Sequence, residues 1–214
     1  MYVLLLGVVL ILYAIRCIIL MHEVYTMRRP PSDMRNCERP VKTMMVIGSG
    51  GHTAELLKIT QFLDIKRYRP RIYVMADTDI TSEMKIVSIE YNNPKGDYIV
   101  MKIPRSRSVG QSYVTSVFTT IWSTLRSIPP MLYHRPELIL CNGPGTCIPI
   151  CLIAFLMRAA YINDNRILFF ESVCRVKSLS LSGKILLFFA DHIFVQWPEL
   201  AQKYNWRTQY IANP

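Results

Sequence analysis

The chain has 214 residues and a formal net charge of +10, with 51% hydrophobic and 19% charged residues. This length leaves room for about one domain of ordinary size beside an apolar N-terminal stretch. Charged residues recur along the whole chain after that stretch, which excludes a bundle of many membrane-spanning helices. The basic excess favours anionic partners such as lipid headgroups or phosphates. We expect no nucleic acid partner, because the sequence has no zinc-finger spacing, no aromatic RNA-binding strand and no basic helix.

Residues 2–21 form an apolar stretch that is broken only by Arg16. At about 1.5 Å per residue, such a stretch can cross a hydrocarbon core of about 30 Å as a helix. A cleaved signal peptide is the weaker interpretation, because no basic residue precedes the stretch and no small-residue cleavage site follows it. The sequence therefore predicts a single membrane anchor.

Basic residues follow this stretch and none precedes it, which predicts the orientation of the chain. They are Arg28, Arg29, Arg35, Arg39 and Lys42. By the positive-inside rule the C-terminal part lies in the cytosol and the N-terminus in the lumen. The prolines among these residues and the lack of apolar periodicity are typical of a tether. We divide the chain into a transmembrane anchor (1–22), a basic tether (23–42) and a cytosolic domain (43–214).

From residue 43 onward, short runs typical of strands alternate with longer helical patterns. We predict strands at 44–47, 71–75, 98–103, 137–141, 167–170 and 192–196, and helices at 54–63, 82–91, 111–127, 148–160 and 182–190, with a short helix after Pro198. This alternation predicts an α/β fold of the Rossmann-like type, a parallel sheet with helices on both faces. Because the pattern begins only here, we expect the domain to need no packing from the anchor.

The six cysteines form no C-x-x-C pair and no evenly spaced framework, so we expect reduced thiols in a cytosolic domain. Cys147 and Cys151 are one helical turn apart, but no histidine or acidic residue flanks them at the spacing of metal ligands. Packing in the core is the favoured interpretation. We expect no metal site and no cofactor.

A glycine-rich loop connects the first predicted strand to the first helix of the domain. It reads Gly48-Ser49-Gly50-Gly51-His52-Thr53. Its backbone N–H groups and the positive end of the helix dipole have the form of an anion site. The loop is not a Walker A motif, and it departs from the dinucleotide fingerprint because Thr53 stands where the last glycine is expected. Asp77 follows the second strand, where a dehydrogenase-type fold would bind a ribose, so a nucleotide-dependent oxidoreductase stays an alternative.

Further polar residues follow the later strands of the predicted sheet. They are Arg105 and Arg107 after the third strand, Asn142, Gly143 and Gly145 after the fourth, and Glu171 after the fifth. Ligands of doubly wound sheets bind outside the carboxyl ends of the strands, so these residues and His52 are expected to line one crevice. Each residue alone could equally serve a turn, a loop or the solvated surface. His52 could act as a proton acceptor near neutral pH or could simply begin a helix.

Apolar residues recur at helical spacing in the segment after the two arginines. They are Val117, Phe118, Ile121, Trp122 and Leu125, with serines and threonines between them. We expect this apolar face to pack in the core. The alternative is that it lies against lipid or receives a lipid substrate, since a basic loop precedes the helix in a tethered protein.

Several blocks of sequence, in this order, resemble one known family. They are the glycine-rich loop at residues 48–53, Ile103-Pro104-Arg105-Ser106-Arg107 with residues 109–112, Leu140-Cys141-Asn142-Gly143-Pro144-Gly145-Thr146-Cys147, Glu171-Ser172-Val173-Cys174-Arg175 and Phe194-Val195-Gln196-Trp197-Pro198. The family is the membrane-anchoring subunit of the two-subunit UDP-N-acetylglucosamine transferase that adds the second sugar of the dolichol-linked oligosaccharide. The resemblance covers nearly the whole chain except residues 206–214, which do not match the family's closing residues.

The resemblance implies one lobe of a GT-B glycosyltransferase, similar to the N-terminal lobe of the bacterial lipid-linked GlcNAc transferase. It implies a soluble partner subunit that binds the UDP-sugar, a dolichyl-pyrophosphate-GlcNAc acceptor and the endoplasmic reticulum membrane. By similarity, His52 becomes the candidate catalytic base. The candidate substrate-binding residues are Gly48, Ser49, Gly50, Gly51, Thr53, Arg105, Arg107, Asn142, Gly143, Gly145 and Glu171.

Two other functions remain open at the level of sequence. The chain could be a recruitment scaffold in which the glycine-rich loop is structural and all chemistry belongs to the partner. It could also be the membrane-tethered oxidoreductase that uses Asp77, although the chain has no room for a second substrate domain.

Overall fold

The computed structural model describes residues 1–29, 39–91, 97–108, 110–143 and 145–212. The helices are α1 (Tyr2–Tyr25), α2 (Gly51–Thr60), α3 (Ile80–Tyr91), α4 (Tyr113–His134), α5 (Cys147–Ala159), α6 (Leu181–Leu186) and α7 (Pro198–Lys203). The strands are β1 (Thr43–Val46), β2 (Arg71–Ala76), β3 (Tyr98–Ile103), β4 (Leu138–Asn142), β5 (Arg166–Phe170), β6 (His192–Val195) and β7 (Thr208–Tyr210). All of the predicted strands and helices are present, with ends that differ by a few residues.

The seven strands form one sheet in the order β3-β2-β1-β4-β5-β6-β7. Every neighbouring pair is parallel; Met44 of β1, for example, is in register with Ile72 of β2 on one side and Ile139 of β4 on the other. Because the chain reverses its direction of travel across the sheet after β3, the carboxyl ends of β1 and β4 lie side by side at the switch point. The predicted Rossmann-like α/β fold is confirmed.

Helices cover both faces of the sheet, as the continuous apolar character of the strands requires. One face packs against α2 and α3 through residues such as Leu56 and Ile86. The other face packs against α4, α5, α6 and α7, with Met131, Ile150 and Leu186 in the core. Helix α5 is buried along most of its length, as expected for a ten-residue apolar run too short to span a membrane.

Residues 206–214, which the resemblance does not cover, supply the seventh strand. Strand β7 pairs in parallel with β6 and was not predicted, because three residues are too few for a recognisable alternation. Arg207 is fully buried just before β7, where its guanidinium donates hydrogen bonds to the carbonyl oxygens of Leu187, Ala190 and Asp191. Residues 207–210 are therefore an integral part of the sheet.

Helix α1 packs against the lobe, a contact that the sequence analysis did not foresee, and the expectation that the domain folds without the anchor stays a prediction. Leu20 is buried against Phe155 and Ala159 of α5, and the hydroxyl of Tyr13 donates a 3.0 Å hydrogen bond to the carbonyl oxygen of Leu156. Periodicity alone could not reveal this contact, since an apolar helix that spans a membrane has no distinct polar face. The helix continues to Tyr25, and residues 30–38 of the predicted tether lie outside the described residues.

A buried carboxylate joins the segment after α1 to the lobe. Asp191 accepts hydrogen bonds from Arg29 at 2.5 Å, from Arg158 at 2.8 Å and from Arg166 at 3.4 Å. Burial alone would raise the pKa of Asp191, but the charges of Arg158 and Arg29 lower it below its usual range. Removal of this charge would leave buried guanidinium groups without compensation.

We predict that Asp191→Asn lowers the free energy of unfolding by about 3 kcal/mol, because a buried ion pair that loses one partner leaves an uncompensated charge. Urea unfolding of the full chain in detergent micelles measures the change. The exposed Glu199→Gln removes the same charge and should stay close to the unchanged chain. Equal unfolding midpoints for both variants would contradict the role assigned to Asp191.

Candidate functional site

A cavity of about 570 Å³ lies at the carboxyl edge of the sheet, next to the switch point between β1 and β4. Its lining comes from the loops that follow five strands. The lining residues are Ile47, Ser49, His52, Ala76, Arg105, Arg107, Ser108, Gly110, Gly143, Gly145, Thr146, Glu171, Ser172, Cys174, Arg175, Ser180, Leu181 and Ser182. Seven of the predicted site residues are among them, namely Ser49, His52, Arg105, Arg107, Gly143, Gly145 and Glu171.

The glycine-rich loop shapes the start of α2. Gly50 has a φ of +68° at the N-cap of α2, a backbone conformation that favours glycine. Thr53 is fully buried, and its hydroxyl bonds to the carbonyl oxygen of Gly48 and to the hydroxyl of Ser82. Gly48, Gly50, Gly51 and Thr53 therefore form the loop without lining the cavity, and a substrate-binding role for them stays a prediction.

His52 lies on the first turn of α2 and lines the cavity. Its Nδ1 atom is 2.8 Å from Oδ1 of Asn142, at the end of β4. Gly143 has a φ of +85°, and a Cβ atom at this position would lie 2.7 Å from Cε1 of His52 and closer still to Nδ1. The imidazole ring thus occupies the space that a side chain at position 143 would need, which explains why a glycine follows Asn142.

Asn142 lies beneath the cavity and is fully buried. Its Nδ2 atom donates a 2.9 Å hydrogen bond to Oε2 of Glu55, and Oε1 of Glu55 accepts a 2.9 Å hydrogen bond from the hydroxyl of Ser172. Sequence reasoning missed Glu55, although it follows His52 by three residues on a predicted helix and so shares its face. The prediction for Asn142 placed it in the crevice, whereas the structure shows it supporting His52 from below.

The two predicted arginines reach the cavity from the loop after β3. Nε of Arg105 donates a 3.0 Å hydrogen bond to the hydroxyl of Thr78, and Nη2 of Arg107 donates a 3.0 Å hydrogen bond to the carbonyl oxygen of Gln111. Lys102 of the same strand pairs instead with Glu83 of α3, 2.7 Å away, and does not line the cavity. Two guanidinium groups therefore provide the basic character of this wall, together with Arg175 opposite.

Glu171 closes the cavity from the end of β5 and is almost completely buried. Its carboxylate accepts hydrogen bonds from the backbone N–H groups of Ser172 and Ser180 at 3.2 and 2.8 Å, and from the hydroxyl of Ser180 at 3.0 Å. Burial raises the pKa of Glu171, and these hydrogen bonds offset only part of the effect. The contacts tie the loop after β5 to the start of α6; a substrate contact of Glu171 stays a prediction.

Two other predictions concern cofactor chemistry. Asp77 is exposed and does not line the cavity, so the site gives the oxidoreductase alternative no support. Among the described residues, no three histidine, cysteine, aspartate or glutamate side chains are grouped as a metal site. Cys147 and Cys151 are buried in the core beside Cys141, in agreement with the packing interpretation.

The apolar face of α4 does not pack in the core, so the favoured interpretation of this helix was wrong. Val117, Phe118, Ile121, Trp122 and Leu125 are between 52% and 71% exposed. We call these five residues the α4 apolar face.

The hydroxyl groups on the opposite side of α4 explain this orientation. Thr119 and Ser123 donate hydrogen bonds of 2.6 and 2.8 Å to the carbonyl oxygens of Ser106 and Pro104, and Thr120 donates a longer one to Ser106. These bonds bind α4 to the loop that carries Arg105 and Arg107. Serines and threonines that bind backbone carbonyls replace the apolar packing that periodicity predicts, and the apolar face is turned outward.

The fold is similar to that of a solved glycosyltransferase. MurG from Acinetobacter baumannii superimposes with a TM-score of 0.57 and 15% sequence identity, and the match covers 82% of this chain and 46% of MurG. At this identity the similarity establishes the fold alone. The chain thus corresponds to about half of the two-lobed MurG chain.

Sequence comparisons give a much closer relationship. The rat and human proteins named UDP-N-acetylglucosamine transferase subunit ALG14 are 47% and 46% identical over 168 residues, covering 75% of this chain and 77% of each relative. The protein of the same name from Schizosaccharomyces pombe is 45% identical over 173 residues, which cover 79% of this chain and 81% of the relative. The family model described as "Oligosaccharide biosynthesis protein Alg14 like" matches residues 43–213. This chain therefore belongs to the Alg14 family.

Proposed function

We propose that this chain is the membrane-anchoring, acceptor-side subunit of a UDP-GlcNAc transferase that adds the second GlcNAc to GlcNAc-pyrophosphoryl-dolichol. The observation that carries the proposal is the cavity at the carboxyl edge, in which His52 stands between a glycine-rich loop and two arginines. A sugar hydroxyl, a proton acceptor and a pyrophosphate can be accommodated together in such an arrangement. The names of the mammalian and yeast relatives support the same activity.

The partner in this proposal is a soluble subunit that binds UDP-GlcNAc. The chain spans 46% of the MurG chain and has one Rossmann-like sheet. In GT-B enzymes the active site lies between two such lobes, so the second lobe must come from another chain. The word "subunit" in the names of the relatives agrees with this requirement.

His52 is the proposed general base of the transfer. The acceptor hydroxyl attacks C1 of GlcNAc, the bond between C1 and the UDP oxygen breaks, and UDP leaves with that electron pair. Nε2 of His52 takes the proton of the attacking hydroxyl. A positioned imidazole contributes about 10²-fold to 10⁴-fold to such a step.

Arg105 and Arg107 are the proposed contacts of the acceptor pyrophosphate. Both line the cavity on the side of β3 and α4. A guanidinium group pairs with phosphate oxygens through two parallel hydrogen bonds, which fixes position as well as charge. This arrangement would direct the lipid of the acceptor toward α4.

The membrane in this proposal is that of the endoplasmic reticulum, spanned by α1 with its N-terminus in the lumen. Helix α1 has a mean hydropathy of 2.9 in its most apolar window and is the one candidate span among the described residues. The hydroxyl of Tyr13 contacts the carbonyl oxygen of Leu156, so α5 lies beside this helix.

The α4 apolar face is the second proposed membrane contact. It lies on the same face of the sheet as α5 and α1. Helix α4 contains no acidic residue, and the guanidinium of Arg126 lies 5.6 Å from the ring centroid of Trp122. Tryptophan and arginine side chains of this kind are favoured at the boundary between lipid tails and anionic headgroups. The acceptor cavity would then open beside the membrane surface that holds the acceptor.

A test of the base is the isosteric change His52→Gln. We expect it to lower the rate of the assembled complex by about 10²-fold or more while membrane anchoring and co-purification with the partner stay normal. His134→Gln, at the opposite edge of the sheet, is the matched control and should keep the normal rate. If the His52→Gln complex transfers sugar at the normal rate between pH 6 and 8, the general base lies in the partner subunit, and the interpretation of this chain as a recruitment scaffold is favoured.

The pyrophosphate contacts are tested by Arg105→Gln combined with Arg107→Gln. We expect the KM for the lipid-pyrophosphate acceptor to rise about 10-fold or more, because charged hydrogen bonds to phosphate are lost, and the KM for UDP-GlcNAc to change little. Arg69→Gln with Arg135→Gln removes the same charge from exposed positions outside the cavity and the α4 apolar face. An equal rise in the KM values for both substrates, or loss of co-purification with the partner, would identify the loop after β3 as an interface.

The membrane contact of α4 is tested by Phe118→Glu with Trp122→Glu. We expect this double variant to transfer sugar slowly to a dolichyl acceptor in liposomes and normally to a short-chain acceptor in solution, since carboxylates oppose insertion among lipids. Met84→Glu with Val87→Glu places the same charges on exposed positions of α3, on the other face of the sheet. A similar loss of transfer rate with the dolichyl and the short-chain acceptor would contradict a membrane contact of the α4 apolar face.

A further inference from the structure

Three side chains form a continuous hydrogen-bonded series beneath the cavity. Nδ1 of His52 is 2.8 Å from Oδ1 of Asn142, and Nδ2 of Asn142 is 2.9 Å from Oε2 of Glu55. We propose that Glu55 is a positioning residue that, through Asn142, holds His52 in the tautomer with its proton on Nδ1 and a free electron pair on Nε2. The importance of this tautomer for catalysis depends on the proposed function, whereas the tautomer itself does not.

The direction of each hydrogen bond follows from the chemistry of the groups. A carboxylate only accepts hydrogen bonds, whereas the amide of asparagine has one accepting oxygen and one donating NH₂ group. Glu55 therefore requires the NH₂ group of Asn142 on its side, which turns the amide oxygen toward His52. An oxygen that only accepts requires a proton on Nδ1 of His52. In the neutral ring Nε2 is then without a proton.

Burial prevents the series from rearranging. Asn142 is fully buried at the end of β4, so a reversed amide would place its oxygen against the carboxylate of Glu55 with no donor between them. An unsatisfied buried pair of this kind is strongly unfavourable. The amide is thus fixed by a contact on the side opposite to His52.

The backbone holds both ends of the series. His52 and Glu55 are three residues apart on the first turns of α2, and Asn142 comes from β4. The other oxygen of Glu55 accepts the hydroxyl hydrogen of Ser172, which follows β5. Glu55 therefore connects the carboxyl ends of two neighbouring strands to the helix that carries the imidazole. The same contacts fix the position of the imidazole.

A reversed amide would have a specific consequence for His52. The NH₂ group of Asn142 would face Nδ1, which could then only accept, and the proton would move to Nε2. The atom directed at the acceptor hydroxyl would be a donor and could not take up a proton. In the Ser-His-Asp triad, a histidine held in the wrong tautomer by an asparagine loses most of its activity as a base.

The tautomer can be measured directly in the wild-type full chain. Ring ¹⁵N chemical shifts of ¹⁵N-histidine-labelled protein in detergent micelles at pH 8 distinguish a protonated Nδ1 from a protonated Nε2, and the spectrum of His52→Gln identifies the resonances. We expect the proton on Nδ1. A proton on Nε2 of His52 would overturn the proposal without any further variant.

Glu55→Ala tests the cause of this preference. The NH₂ group of Asn142 loses its acceptor, so we expect a mixture of tautomers and a fall in kcat of about 10-fold or more, as for other partners that orient a histidine, with little change in KM. The pair Glu55→Ala with Asn142→Asp returns an acceptor-only group to His52 and should restore the Nδ1 proton and most of kcat. Glu83→Ala, a half-buried glutamate on α3 that pairs with Lys102 outside the cavity, is the control and should change neither.

The outcomes separate this inference from the proposed function. An unchanged tautomer in Glu55→Ala, or no recovery in the double variant, overturns the role of Glu55. If the tautomer of His52 changes in Glu55→Ala while kcat stays constant, the role of Glu55 is supported and the role of His52 as the base is contradicted. Thermal unfolding of each variant confirms that the lobe is folded when the spectra are recorded.

Discussion

The parallel alignment of all seven strands is the constraint on which the rest of this structure depends. Parallel strands need helices on both faces, and their carboxyl ends meet at a single edge. His52, Arg105, Gly143 and Glu171 follow four different strands, yet they converge on one cavity of about 570 Å³. The order β3-β2-β1-β4 brings β1 and β4 side by side, and the contact between the imidazole and the Asn142 amide spans that junction. The chemistry of the site is thus a consequence of topology.

The same sheet explains how α1 is held to the lobe. Helices α4 and α5 share one face, and α1 packs on α5 through Leu20. Arg29 then binds Asp191 in the interior of the lobe, so the residues directly after α1 are held as well. In the proposed function, a helix α1 held in this way restricts the orientations in which the lobe can meet a bilayer, and the α4 apolar face is turned toward it.

The sequence predicted the fold and seven of the residues that line the cavity because both depend on local signals: apolar strands, strand-to-helix glycine turns and polar residues at strand ends. It could not predict contacts that depend on which groups satisfy each other across the fold. The face of α4 was misjudged because Thr119 and Ser123 bind loop carbonyls, and Leu20 of α1 was assigned to lipid although it is buried on α5. Glu55 was missed because its role appears only when β4 and β5 lie beside α2.

The central claim is that the lipid acceptor binds in the cavity of this chain while the donor sugar is supplied by the partner. Photo-crosslinking measures this most directly, with a GlcNAc-pyrophosphoryl lipid that carries a diazirine on the first isoprene unit, added to the assembled complex in liposomes. Peptide mapping should find the label on this chain, in the loop after β3 or on α4, and competition with unmodified acceptor should remove it. A label found only on the partner subunit would contradict the assignment of the acceptor side.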